Sequence, residues 1–383
     1  MSDNSANDMA RPLPVSIEEI DCDWLTRALR IKAPGVTVRN FEIVDMIRGT
    51  CTKIRLRLDM DEAGRQAGIP ETVFLKGGFE SHSRDLVFLL MSESLGYRDL
   101  LPNSGLNNPA CYFADYDEAR QQGIVIMEDL ANRKVTFGDP LKPRGYDDIA
   151  QTLSLLAGYH ARTWGCAAFG AGDRLSWIDS SLPFTRPSLK RLLAPDVWQR
   201  YVAMPRGAAA SVRFHDLGWA IGALQSMEAL TGEVPNCVIH GDTHLGNVFF
   251  EPGGVAGFYD IVPRRAAPMS EVCYHITLAL DVADRPRWEE ALVRHYLAEL
   301  AAHGIADAPG FDEAMRQYAA FLVEGYCLVL LNDAYFMPEA LITAYAARFS
   351  AAMLDHDTAG LHARATDSRK VQVQANNNKE KGE

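Results

Sequence analysis

The sequence predicts an α+β protein of two lobes, a β-rich N-terminal lobe followed by a mainly helical C-terminal lobe. Three observations lead there. At 383 residues the chain is too long for one small core and short for three domains. Segments with an apolar period of two gather before residue 128, and segments of helical period dominate after it. The expected organisation is an N-terminal lobe over residues 12–127 and a C-terminal lobe over residues 128–364. Polar stretches at 1–11 and 365–383, without an apolar face, are expected to be disordered.

Composition narrows the partners. Apolar residues make up 48% and charged residues 23%, ordinary globular values that exclude a wholly disordered or fibrous chain. Fifty acidic against 38 basic residues give a net charge of −12, so nucleic acid is not an expected partner. The seven cysteines are scattered without a CxxC pair, which argues against a zinc ribbon or a disulfide framework and fits a reducing compartment. No apolar run reaches the length of a membrane span, and the polar start has no secretory h-region. The expectation is a soluble, cytoplasmic protein without a membrane partner; the sequence leaves its oligomeric state open.

The elements follow in order. Ser16 reads as an N-cap with Glu19 three residues on, opening a helix to about Leu29. Strands are predicted at Phe41–Met46, at Lys53–Asp59 by strict alternation, and at Thr72–Lys76, the last two joined by a polar hairpin loop. A helix is expected over Asp85–Tyr97. The nearly continuous apolar run Gly123–Glu128 suits a buried strand. Helices are then predicted at Tyr146–Trp164, Val197–Val202, Leu217–Leu230, Arg287–Ala302, Phe311–Leu331 and Glu339–Leu354. One β island, Val238–Asp260, interrupts them.

That island carries the chemistry. The run VIHGDTHLGNVFF over residues 238–250 holds His240, Asp242, His244 and Asn247 in a polar loop between apolar flanks. The turn Glu-Pro-Gly-Gly254 then leads into a second apolar run ending at Asp260. Such a hairpin makes Asn247 and Asp260 cross-strand neighbours at its open end. A carboxylate and an amide oxygen side by side are hard ligands suited to magnesium. An isolated HxD is more often a turn beside a core histidine, but the hairpin reverses that balance.

The pattern HGD-x4-N, a hairpin and then Asp resembles the catalytic loop of the aminoglycoside phosphotransferase and choline kinase-like families. It is most similar to the bacterial phosphotransferase enzyme family, which grades into ecdysteroid kinase-like proteins. The resemblance implies a protein kinase-like bilobal fold and an ATP-dependent kinase acting on a hydroxyl group of a small molecule. It makes Asp242 the catalytic aspartate facing the acceptor, and Asn247 and Asp260 the magnesium ligands. Lys76, ending the strand TVFLK, and Glu93, in the helix FLLMSESLGY, match the pair that holds phosphate oxygens. Glu128-Asp129-Leu130 resembles the hinge, where the backbone at Glu128 and Leu130 would meet adenine. His160 and Trp164 lie in a stretch like the family's LAxxHAxxW helix and are expected to pack beneath the catalytic loop.

Among the departures from the family pattern, Ile261-Val262 follow Asp260 where Trp-Gln is common, and two others bear on catalysis. The phosphate loop, residues 47–53, has one glycine, Gly49, and Glu271 stands where an aspartate is usual. They motivate the alternative of a catalytically weak, nucleotide-binding pseudokinase. A metal-dependent hydrolase using His240, Asp242 and His244 is a further reading. Glu324, Asp333, Glu339 and Asp355 offer carboxylates for a cationic acceptor. The aromatic residues among them and at 177–219 suit an apolar or aromatic alcohol equally well.

Overall fold

The computed structural model describes residues 10–165, 172–180, 183–333 and 335–364. Five strands form one antiparallel sheet in the order β1-β2-β3-β5-β4. They are β1 (Val38–Ile47), β2 (Thr52–Met60), β3 (Thr72–Gly77), β4 (Cys111–Asp117) and β5 (Gln122–Glu128). The sheet is covered on both faces. Ile124 and Ile126 of β5 pack with Trp24, Leu56 and Leu75 in an N-terminal core. Val125 and Met127, on the opposite face, join the large core built by the C-terminal helices. Burial on both faces is why β5 reads as a continuous apolar run, whereas one-sided β2 alternates.

The helical region follows the predicted segments closely. The helices run Tyr146–Arg162, Pro195–Val202, Leu217–Glu233, Arg285–Ala302, Phe311–Leu330 and Glu339–Asp355. Two small sheets sit among them. One pairs β6 (Thr136–Phe137) with β8 (Val248–Phe250) and β9 (Ala256–Phe258). The other pairs β7 (Cys237–Ile239) with β10 (Arg264–Ala266).

Several expectations are corrected. The first helix spans Cys22–Arg30, because Asp21 and not Ser16 caps it, accepting the Trp24 N–H at 2.7 Å. Ser16 precedes only a 3-10 turn, Ile17–Glu19. Of the leader expected to be disordered, Ala10 and Arg11 are packed. Trp24 donates its indole N–H to the Ala10 carbonyl, and Arg11 pairs with Asp115 at 3.0 Å. The remainder of that leader and the tail from residue 365 lie outside the described residues. The loop between β2 and β3 holds a short helix, Glu62–Gln66, capped by Asp61. The helix expected over Asp85–Tyr97 is a 3-10 turn, Ser81–Leu86, then an α-helix, Val87–Leu95, then a wide turn through Leu100.

Two of the longer elements escaped the sequence pattern. Strand β4 did so because Asp115 and Asp117 occupy buried positions where alternation demands apolar residues. They are tolerated because Asp115 pairs with Arg98 at 2.7 Å and Asp117 accepts the Leu13 N–H. The helix Pro268–Ala279 is buried on nearly every side, so it shows no amphipathic stripe.

Candidate active site

The strand β7 leads from the core into His240-Gly241-Asp242. Gly241 has φ +87°, and a Cβ there would lie 2.1 Å from the Val262 carbonyl oxygen, so only glycine fits this turn. The loop is anchored from below by Glu271. Its carboxylate, almost fully buried, accepts the backbone N–H of His240 at 2.9 Å and of Gly241 at 2.6 Å. It also pairs with His160 Nε2 at 2.9 Å, and His160 Nδ1 meets the Tyr296 hydroxyl. Burial alone would raise the Glu271 pKa, but His160, His240 and the loop N–H groups outweigh it and hold the carboxyl below its ordinary value. Glutamate in place of aspartate therefore still fastens the loop. His160 packs beneath the loop as expected, and Trp164 lies against Cys237, Ile239 and Ala266 of the small sheet under it.

Asp242 is held on three sides. Its Oδ2 accepts the Asn247 amide N–H at 2.8 Å, and its Oδ1 accepts the Tyr274 hydroxyl at 3.1 Å. His244 Nε2 lies 3.5 Å from Oδ2. Because His244 Nδ1 accepts the Gly246 N–H, Nε2 is the protonated nitrogen of the neutral ring and faces the carboxylate. Tyr274 was not singled out from the sequence. Its position three residues after Glu271 puts both on one face of the Pro268–Ala279 helix, so helical spacing was the signal to find it.

The hairpin forms as expected, with Val248 opposite Phe258 and Phe250 opposite Ala256. Its register places Tyr259, not Asp260, across from Asn247, since the Tyr259 N–H donates to the Asn247 carbonyl at 3.1 Å. Asp260 stands one residue further on, in a left-handed conformation, φ +59°, that a non-glycine residue rarely adopts. The turn re-aims its carboxylate toward the N-terminal sheet. There Oδ1 accepts Lys76 Nζ at 2.8 Å and Oδ2 accepts Lys53 Nζ at 2.6 Å.

Lys76 is almost fully buried, with Nζ also 2.5 Å from Glu93 Oε1. Burial disfavours the ammonium, but Asp260 and its other acidic neighbours, Glu93 among them, outweigh that and lift its pKa well above the ordinary lysine value. The Asp260 carboxyl is in turn depressed, since Lys53 and Lys76 overcome the cost of its burial. The predicted residues Lys76, Glu93 and Asp260 are thus brought together across the two lobes. Asp242 and Asn247 form a second, directly bonded pair.

Asn247 commits its amide nitrogen to Asp242, bonding both Oδ2 and the backbone carbonyl. Its oxygen is then the atom it would lend a cation, and that oxygen and the Asp260 carboxylate are hard donors of the kind magnesium takes. Among the described residues no group of three or more His, Cys, Asp and Glu side chains is arranged to hold a metal ion. The HxDxH reading finds no support: His240 is buried, its pKa lowered chiefly by desolvation, and its Nδ1 accepts the Asp242 N–H.

Gly49 lies between β1 and β2, with its carbonyl bonded by His82. Glu128 ends β5, and its carboxylate is engaged by Arg133 at 2.5 Å, while Asp129 pairs with Arg55. Leu130 is buried. The Glu128 and Asp129 side chains are therefore engaged within the protein, and the Glu128 N–H donates to the Ala110 carbonyl at 2.8 Å. The carboxylates considered for a cationic acceptor already have partners. Glu324 pairs with Arg264, Glu339 with Arg206 and Asp355 with Arg285, while Asp333 caps its own turn through the Tyr335 N–H.

The profile of the phosphotransferase enzyme family matches residues 97–314, more than half of the chain, and it spans the loop, the hairpin and the anchoring helix just described. The chain belongs to this family. No curated protein matches it in sequence. Among solved structures it resembles a chain from Ralstonia eutropha JMP134 assigned to the aminoglycoside phosphotransferases. That likeness has a TM-score of 0.50 and 14% identity, and covers 89% of this chain and 98% of the other. It also resembles wild-type aminoglycoside 2'-phosphotransferase-IIIa in complex with GDP, with a TM-score of 0.47 and 12% identity over 88% and 99% of the two chains. A third similar structure is the choline kinase LicA of Streptococcus pneumoniae, with a TM-score of 0.43 and 10% identity over 81% and 94%. The fold of this phosphotransferase family member is thus the kinase-like one, a sheet-rich N-terminal region on a helical C-terminal part. Among the described residues no helix is long and apolar enough to cross a membrane.

Proposed function

We propose that this family member is a cytoplasmic, ATP-dependent kinase of a hydroxyl group on a small molecule, with the nucleotide held between the lobes over residues 12–127 and 128–364. The observation that carries the reading is the convergence on Asp260. A strand lysine fixed by a helix glutamate reaches, from the other lobe, a carboxylate that a strained turn aims toward it. Lys76, positioned by Glu93, holds phosphate oxygens. The turn at Gly49 covers the phosphates, and the backbone at Glu128 and Leu130 receives the base. Magnesium on Asn247 and Asp260 would supply neutralisation of phosphate charge. Asp242, oriented by Asn247 and Tyr274, takes the acceptor proton late in transfer.

The pseudokinase alternative rests on Glu271 and the single glycine. The first ground is weakened, because Glu271 makes the anchoring bonds an aspartate was expected to make. The carboxylates near the C-terminal helices are already engaged, which favours a neutral or aromatic alcohol over a polycation as the acceptor. The test is an ATP-consumption screen across hydroxyl compounds, run with wild type and Asp242→Asn. Consumption that depends on both a compound and Asp242 is the expected result. Compound-dependent consumption that survives in the Asn variant would refute the assigned role.

A further inference from the structure

We propose that Lys53 is a second phosphate-binding lysine, acting with Lys76 where the turn between β1 and β2 lacks the glycines of a backbone cradle. This rests on the kinase reading above. The register of the β2–β3 hairpin sets Lys53 directly opposite Lys76. Like charges in such cross-strand positions repel, so the pair is costly unless an anion lies between them. Here the anion is Asp260, with one lysine on each carboxylate oxygen at 2.6 and 2.8 Å. Both lysines lie on the sheet face turned from the N-terminal core, because Ile54 and Leu75, their chain neighbours, point into that core.

The two lysines are not equivalent. Lys76 keeps Glu93 as a second acid, whereas among the described residues the ion pair of Lys53 is with Asp260 alone. A divalent cation taken up by Asp260 would compete for that carboxylate and leave Lys53 without an acid. The polyphosphate arriving with the cation is the anion that replaces it. The turn before Lys53 points the same way. A Cβ at Gly49 would meet nothing nearer than 3.9 Å, and Gly49 is not in a left-handed conformation. Within the protein itself nothing therefore requires glycine at this position, and its carbonyl is tied down by His82. A flexible ammonium placed at the start of β2 supplies by charge what backbone N–H groups would supply by proximity.

The experiment is calorimetric binding of Mg-ATP and of AMP to wild type, Lys53→Gln and Lys53→Arg, with melting temperatures to show that each variant folds. Lys53 is about one-third exposed (32%), so the Gln variant is expected to melt within a few degrees of wild type. Mg-ATP affinity should fall roughly tenfold or more in Lys53→Gln, the scale of one charged contact, while AMP affinity stays within about twofold. Lys53→Arg should retain most of the Mg-ATP affinity. Unchanged or tighter Mg-ATP binding by Lys53→Gln would overturn the proposal and leave Lys53 as a counterion of Asp260. Equal losses for Mg-ATP and AMP would also overturn it. Wild type that binds neither nucleotide would sink the kinase reading itself, and this inference with it.

Discussion

Replacing Glu271 with glutamine isolates what the buried carboxylate does for the catalytic loop. Oε2 receives two donors, the His240 N–H and His160 Nε2, and Oε1 receives one, the Gly241 N–H at 2.6 Å. A glutamine keeps one oxygen, and it loses least by placing that oxygen at the doubly bonded position. The Gly241 N–H then faces an amide N–H, so one charge-assisted bond becomes a donor against a donor. At about 1.5–3 kcal/mol for the bond, plus the burial of an unpaired donor, the loss should be about 2–4 kcal/mol. Urea unfolding at pH 7 measures it as a shift in midpoint at constant slope. The sign of the pH dependence follows from the depressed Glu271 carboxyl. Its stabilisation is fully present above the unfolded-state value near 4.5 and is lost as pH falls through the lower folded-state value. The gap between wild type and variant should therefore shrink in acid. A Gln variant within about 0.5 kcal/mol of wild type at pH 7 would refute the anchoring argument.

Other outcomes follow from the same geometry. Lys76→Met should fold normally and lose at least about a hundredfold in turnover, since it removes the fixed charge proposed to hold the phosphates; near-wild-type turnover would show the N-lobe assignment to be wrong. Gly241→Ala should lose at least about 2 kcal/mol of stability along with activity, because it forces a side chain into a left-handed turn against the Val262 carbonyl. His275 is buried neutral between the Thr243 carbonyl and the Thr152 hydroxyl, and burial lowers its pKa to about 4. Its stabilisation is present above about pH 6.5 and falls by about 3 kcal/mol as pH drops toward 4, where the unfolded chain has already bound the proton. Unfolding midpoints of His275→Gln should lack that part of the acid slope; an identical slope would exclude His275 as its source.

Much of this was legible in the sequence because it depended on local pattern. The alternation of β2, the apolar run of β5 and the long amphipathic helices are properties of neighbouring residues. So is the spacing of Asp242, Asn247 and Asp260. What escaped depends on partners remote in sequence. Strand β4 is hidden by Asp115, whose burial becomes acceptable only when Arg98 and Arg11 reach it. The Pro268–Ala279 helix lacks a polar face because structure surrounds it. Ala10 looks like part of a polar leader until the Trp24 indole N–H holds its carbonyl. The left-handed turn at Asp260 was not readable either, so the hairpin was expected one residue out of register at its open end. In the sequence Lys53 reads as the last residue of the phosphate loop and the first of an alternating strand. Its meaning lies in standing opposite Lys76 once the hairpin closes.

The most direct measurement is calorimetric Mg-ATP binding to wild type, Asp242→Asn and Asp260→Ala, alongside turnover of any acceptor found in the screen. Asp260 is paired with both lysines and is a proposed magnesium ligand, so Asp260→Ala should lose magnesium-dependent nucleotide binding and turnover together. Asp242, bonded to Asn247 and Tyr274, should matter for transfer alone. Its Asn variant should bind Mg-ATP within a few-fold of wild type while kcat falls by about two to four orders of magnitude. Loss of nucleotide binding in Asp242→Asn with full binding in Asp260→Ala would contradict the account.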